Sequence, residues 1–355
     1  MGAIALSPTN IVNNQLTYDK DNTYISMSKY EESPEIMIKR GDVIFVKTGS
    51  TVGKVAYVDK MICKTTLNPQ VVVLKDIKCD NYILSVIMST RNFQNKIQRI
   101  TVGGAVPTLS QVAMGNIFIS LPAAKEQEKI SKFISLLDER ITTQNKIIED
   151  LKKLKSAIIE EHYRQTEKNE VCVADLGNHF NVGNLAKDDL SETGKPCIIY
   201  GELFTTYGEI ISQIESHTNK TEGMILSKKG DLLFPSSTTV DAISLIAPSV
   251  INVDNVILGG DMFGIHISHN YNAQYLSYYF NHIAKKQLAK FAKGSTIIHL
   301  HYTDIEKAKL LLPSLEEQNR MAKCLVALDK KVSVEQDLLS SLTCQKSYLL
   351  QQMFI

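Results

Sequence analysis

The amino-acid sequence predicts an α+β fold in which a mixed α/β domain followed by a long helix occurs twice in tandem, the two long helices packed as an antiparallel coiled coil. Three observations predict it. Leu121-Pro122-Ala123-Ala124-Lys125-Glu126-Gln127 recurs 191 positions later as Leu312-Pro313-Ser314-Leu315-Glu316-Glu317-Gln318. Lys39-Arg40-Gly41-Asp42-Val43-Ile44-Phe45 recurs 189 positions later as Lys228-Lys229-Gly230-Asp231-Leu232-Leu233-Phe234. Each Leu-Pro segment then opens a long apolar repeat of period 3.5. Collinear matches at nearly one offset mark a duplicated module.

The parse gives a domain over residues 1–122, a helix over 123–165, a second domain over 166–312 and a second helix over 313–355. In the first domain, Asp42–Val46, Lys54–Val58 and Gln70–Leu74 are β-branched and aromatic runs bounded by Gly, Pro and Asn, the signature of strands. A helix is expected at about Asn81–Arg99, answered by about Ala273–Lys293; Asn81–Ser85 matches Gln274–Tyr278. Gly103-Gly104, and Gly294 in the second copy, make a turn that leads through more strand to the Leu-Pro pair. Pro196–Leu203 match Ala3–Ile11, so the 25 residues Val171–Lys195 have no counterpart ahead of Met1. The first domain is therefore expected to lack its opening strand.

The helices are expected at Lys125–Arg164 and Leu315–Met353. Ile130, Ile134, Leu137, Ile141, Ile148, Leu151 and Ile158 follow a 4,3 spacing with Gln144 and Lys155 in two polar slots. Leu325, Leu328, Val332, Leu339, Leu342, Leu349 and Met353 repeat it, with Glu335 and Lys346 as the polar slots. Such a seam must be buried, and a rod of about 60 Å at 1.5 Å per residue is unstable alone, so the two helices are expected to pair. Ser314 and Glu317 form a candidate capping box; Ala123 in the first copy cannot.

Hydrophobic residues make up 44% and charged residues 22% of the chain, which excludes wholesale disorder. No signal peptide, myristoylation motif or membrane-length apolar run is present, and six scattered cysteines form no CxxC pair. These features predict a soluble cytoplasmic protein with no membrane association. The net charge is only +1, and it is unevenly shared. Residues 1–122 hold 13 Lys and Arg against 9 Asp and Glu, whereas residues 166–312 hold 12 against 16 and no arginine. Nucleic-acid binding by the second domain would have to come from a local patch.

The ordered, duplicated set of Gly41-Asp42 and Gly230-Asp231, the glycine turns, and Leu121–Gln127 with Leu312–Gln318 resembles the specificity subunits of Type I restriction–modification enzymes along essentially the whole chain. The resemblance implies that each globular unit is a target recognition domain reading one half of a bipartite site in double-stranded DNA. It implies that the paired helices set the spacer and dock DNA adenine methyltransferase subunits, two of them, with nuclease–translocase subunits joining the complex. It further implies that this chain is not itself an enzyme and needs no cofactor.

Candidate DNA-contacting residues follow from donor type and duplicated position. Lys47, Thr48, Ser50, Thr51 and Lys54 surround a Gly49–Gly53 turn that has one residue too few for a phosphate loop. Ser236, Ser237, Thr238 and Thr239 are the second copy's counterpart. Arg91, Arg99 and Thr101 precede the first glycine turn. Lys286, Lys290 and Lys293, spaced for one helix face, with Ser295, Thr296 and His299, surround the second. The plain alternative for each cluster is a solvated loop or helix face. His266-x-x-His269 and His299-x-His301 lack a completing ligand nearby in sequence, so no metal is expected. No Gly-rich cofactor loop, amino-methyltransferase motif or nucleophile triad stands out. Two other readings stay open: a nuclease whose site is assembled only in space, and a coiled-coil scaffold that binds no DNA.

Overall fold

The computed structural model describes residues 2–18 and 22–354. It divides into two compact units, Met1–Lys146 with Asp337–Ile355, and Ile147–Gln336. The chain is mixed helix and strand, with two long helices at Ala124–Gln165 and Leu315–Met353.

In the first unit, Ala3–Leu6 lies parallel to Thr65–Leu67 and antiparallel to Thr23–Ile25. A second sheet centres on Val43–Val46, which is antiparallel to both Val55–Tyr57 and Val71–Leu74. All four residues of Val43–Val46 are buried, which explains a continuous apolar run with no alternation. The second unit repeats the plan. Lys195–Ile199 lies parallel to Ile257–Gly259, and Asp231–Pro235 is antiparallel to Ser249–Ile251 and Met262–Ile267. Gly41 and Gly230 both have φ 93°, so each turn into the central strand uses the left-handed region that glycine tolerates.

The second unit has strands without a first-unit counterpart among the described residues. Asn169–Cys172 pairs antiparallel with Lys309–Leu312, and Gly177–Asn181 pairs antiparallel with Met262–Ile267. The strand expected between Gly104 and Leu121 is accordingly absent from the described structure of the first unit. Ile117–Leu121 runs without strand pairing, and Phe118 is 90% exposed. A β-strand needs a ladder partner, and this stretch has none.

Both expected domain helices are broken. The first divides into Asn81–Ser89 and Arg91–Ile100 at Thr90, whose ψ of 152° leaves the helical region and whose hydroxyl caps the second piece at Phe93. The second runs Ala273–His282, resumes over Lys285–Leu288, and ends in a tight turn at Ala289–Phe291. Burial of Ala284, Leu288 and Ala289 in the core decides that bend over helix propensity. Lys293 lies beyond the helix, so Lys286, Lys290 and Lys293 do not share a helical face.

The long helices pair antiparallel within each unit. Lys346 bonds Asp138 in the first; in the second Lys155 bonds Asp329 at 2.8 Å and His162 meets Glu317 at 3.0 Å. Ile134, Ile148, Leu325, Val332 and Leu342 are buried, and Ile130, Leu137, Ile141, Leu151, Leu328, Leu339 and Leu349 are partly buried. Ser314 accepts from the Glu317 amide at 3.3 Å, but the Glu317 carboxylate turns to His162 and Arg320 instead of closing the capping box.

Candidate nucleic-acid interface

Each Leu-Pro-x-x-x-Glu-Gln motif is a structural clamp. The Gln127 side chain accepts from the Asp80 amide at 2.9 Å and donates to the Pro122 carbonyl at 2.8 Å. Gln318 does the same to the Asn272 amide and the Pro313 carbonyl, at 3.0 and 2.9 Å. Asp80 and Asn272 are the N-caps of the domain helices. Thus the start of each long helix is fastened to the start of a domain helix.

A second fastening lies further along. Tyr82 donates to Asp138 at 2.7 Å, and Asp138 also takes Lys346 from the other long helix. Tyr278 donates to Asp329, which takes Lys155. Burial, and then the neighbouring carboxylate, raise both phenols well above the usual range, so they remain donors. In the second unit Lys155 also reaches Glu209 at 2.9 Å, and His282 lies 2.9 Å from the same oxygen. Burial alone would raise the Glu209 carboxyl; the His282 bond and the Lys155 ammonium outweigh it and hold it at about 2. The polar seam positions Lys155 and Lys346 are therefore ion-pair anchors.

The candidate loops converge. In the first domain Leu109 donates its amide to the Lys47 carbonyl at 2.8 Å, and Gly49 donates to Pro107 at 2.9 Å. Thr48 bridges Thr108, which in turn bridges Val102. The loop holding Lys47, Thr48, Ser50 and Thr51 is thus stitched to the glycine turn that follows Thr101. In the second domain Ser237 and Thr238 pair with His299 and Ile298, while Lys293 bridges His299. The same two loops meet in both copies.

Within this frame the candidates differ in reach. Ser50, Arg91, Arg99, Thr239, Lys286, Lys290, Ser295 and Thr296 are exposed, and Lys47, Thr48 and Thr51 are half-buried. Arg91 and Arg99 sit at opposite ends of one ten-residue helix. Lys54 bends back to the Ile11 carbonyl at 3.3 Å, and the Thr101 hydroxyl donates to the Ile97 carbonyl at 2.7 Å. Ser236 and Ser237 are buried, Lys293 is paired to Asp304 at 2.5 Å, and half-buried His299 stacks on His301. Hydroxyl-rich sequence does not distinguish a solvent-facing loop from a pleated one, and Ser237 is in a strand.

Sequence reasoning missed two sets of residues. The exposed apolar tips Val106 and Ile297, at 60% and 50% exposure, crown the two glycine turns. Their signal was the 191-residue shift that relates them. Phe133, Leu136, Ile147 and Leu154 on one long helix, and Val334, Leu338 and Tyr348 on the other, are exposed apolar side chains outside the seam. Their off-heptad spacing was the signal.

The model of the Type I restriction modification DNA specificity domain matches residues 7–153 and again 166–343. The chain belongs to this family. The role that membership carries is recognition of DNA sequence in a Type I restriction–modification system, in assembly with methyltransferase and restriction subunits. Two similar proteins come from Methanocaldococcus jannaschii. The Type I restriction enzyme MjaVIII specificity subunit is 24% identical over 85% of this chain and 75% of its own length. The putative Type I restriction enzyme MjaX specificity subunit is 24% identical over 88% and 77%. The crystal structure of a Type I restriction–modification system S subunit from M. genitalium superposes with a TM-score of 0.61 at 16% identity, covering all of this chain and 92% of that one. That likeness establishes the fold. No helix among the described residues is long and apolar enough to cross a membrane.

Proposed function

We propose that each of the two domains reads one half of a bipartite site in double-stranded DNA, and that the chain supplies recognition while its partners supply all chemistry. The observation that carries this reading is the repeated junction of two loops: Lys47–Thr51 with the turn after Thr101, and Ser236–Thr239 with the turn after Lys293. Backbone ladders hold both junctions, so the exposed donors on them are pre-ordered for phosphates and base edges. In the acidic second domain, Lys286 and Lys290 beside Ser295 and Thr296 provide the local basic patch.

The paired helices set the spacer between half-sites and dock two methyltransferase subunits; nuclease–translocase subunits join through that complex, in the cytoplasm. Seam residues such as Leu325 and Val332 are buried and serve pairing. Docking falls to exposed apolar residues outside the seam in each unit, Phe133 and Leu136 in the first and Ile147 and Leu154 in the second, since exposed apolar surface marks interaction sites.

The test is duplex binding as a function of salt by the purified chain and by a variant with Lys286 and Lys290 replaced by Gln. Removing one phosphate contact should lower the slope of log affinity against log salt by about 0.9. An unchanged slope in the folded variant would show that this face is only solvated. Absence of duplex binding by the parent at any salt concentration would favour the scaffold alternative, and cleavage by the lone chain with Mg²⁺ would favour the nuclease.

A further inference from the structure

The tips of the two glycine turns are built alike. Val102 and Thr108 exchange both backbone hydrogen bonds, at 3.0 and 2.8 Å, and Lys293 and His299 do so at 2.9 and 2.7 Å. Each pair closes a short loop, 103–107 or 294–298, into a minimal two-stranded ribbon. Gly103 has φ 107° and Gly294 φ 115°, and a Cβ on either would lie 2.8 or 2.0 Å from the carbonyl oxygen of Val106 or Ile297. A side chain at the glycine is therefore barred by the very residue at the tip. The loop shape is fixed, and it presents Val106 and Ile297 outward at 60% and 50% exposure.

Single exposed aliphatic residues are ordinary on a protein surface. Here the same position in two diverged copies holds a β-branched aliphatic residue, on a turn stitched to the candidate DNA-contacting loop. Few other positions of these turns agree: Ala105 answers Thr296, and Pro107 answers Ile298. The DNA major groove admits a two-stranded ribbon, and the one apolar group it displays is the thymine 5-methyl.

Building on the DNA-reading proposal above, we infer that Val106 and Ile297 are specificity-determining residues that contact a thymine methyl group, one in each half-site. The flanking donors, Ser50 and Arg99 on one side and Ser295 and Thr296 on the other, position the ribbon on phosphates and base edges. The aliphatic tip then distinguishes thymine from a base that lacks the methyl.

Deoxyuridine isolates this contact, because it keeps every hydrogen-bonding group of thymidine and removes only the methyl. The probe is a duplex carrying the chain's own methylation-mapped site, with all thymines of one half replaced by deoxyuridine, then those of the other. The full chain should bind each substituted duplex about fourfold more weakly, the weight of one buried methyl group. Val106→Ala should abolish the uracil sensitivity of one half only, and Ile297→Ala that of the other. Both residues are exposed, so the variants keep the fold, and binding of non-specific duplex should be unchanged. Equal affinity for thymine and uracil duplexes, or full uracil sensitivity retained in the alanine variants, overturns the inference while leaving DNA reading intact. A parent chain that binds no duplex at all overturns both.

Discussion

The two recognition domains are copies of one module, yet the same motif is finished in one and open in the other. Leu312 is 2% exposed, covered where Lys309–Leu312 pairs with Asn169–Cys172; Leu121, its counterpart, is 42% exposed. Leu310 is fully buried while Ile119 is only partly so. The clamp through Gln127 or Gln318 is identical in both. The duplication therefore separates two roles that the motif combines: fastening helix to domain, which both copies retain, and closing the sheet edge, which among the described residues only the second does.

The ion-pair anchors add a second contrast. Both units use a Tyr–Asp–Lys arrangement, but Tyr82 comes from the first turn of its helix and Tyr278 from the next. The N-cap bonds of Asp80 and Asn272 place Gln274, not Tyr278, opposite Tyr82. Only the second unit adds Glu209 and His282, so its anchor is the more deeply coupled one.

Breaking that coupling should have the largest effect. Lys155→Ala takes the ammonium from two partly buried carboxylates, Asp329 and Glu209, leaving them Tyr278 and His282, and should cost about 3 kcal/mol. Lys346→Ala takes it from Asp138 alone, which keeps Tyr82, and should cost less than half as much. Chemical denaturation of both variants checks this. Equal costs would show that Glu209 contributes nothing.

Leucine truncation sharpens the edge comparison. Leu312→Ala should lose about 2–5 kcal/mol, and Leu121→Ala under about 1, because the second side chain is already half in water. Thermal unfolding resolves the difference.

Acid should also act on one unit before the other. The Glu209 carboxyl is held at about 2, below its ordinary value, so its contribution is fully present above about pH 4.5 and disappears as pH falls toward 2. That is about 3 kcal/mol, referred to the second unit. Glu209→Gln should flatten this part of the acid-unfolding curve without changing stability slope near neutrality. The smallest effect is kinetic and local: the amides of Ile117–Leu121 should exchange with deuterium faster than those of Lys309–Leu312.

Much of this architecture was legible from residues alone. Period 3.5 located the long helices to within a residue or two, since a buried seam leaves its pattern wherever side chains must face a partner. The strands Val43–Val46, Val55–Tyr57 and Val71–Leu74 announced themselves as apolar runs. The breaks at Thr90 and near Ala284 did not, because they arise from a threonine cap and core packing that local propensity does not encode. At the candidate interface, sequence named the loops that the structure brings together but could not rank their side chains. Burial removes Ser236 and Ser237, backbone bonding engages the Lys54 ammonium and the Thr101 hydroxyl, and Asp304 occupies Lys293.

The central claim, that two domains read two half-sites across a spacer set by the helices, is tested most directly by mapping methylated bases in DNA treated with this chain and its methyltransferase partner. The account predicts a bipartite site with a fixed non-specific gap. Deleting Ile141–Ile147 and Val332–Leu338 together removes one heptad from each helix and keeps the seam in phase. The gap should then shorten by about three base pairs, for about 10 Å of helix, with both half-site sequences unchanged. A single contiguous site, or a gap that stays the same in an active deletion variant, would contradict it.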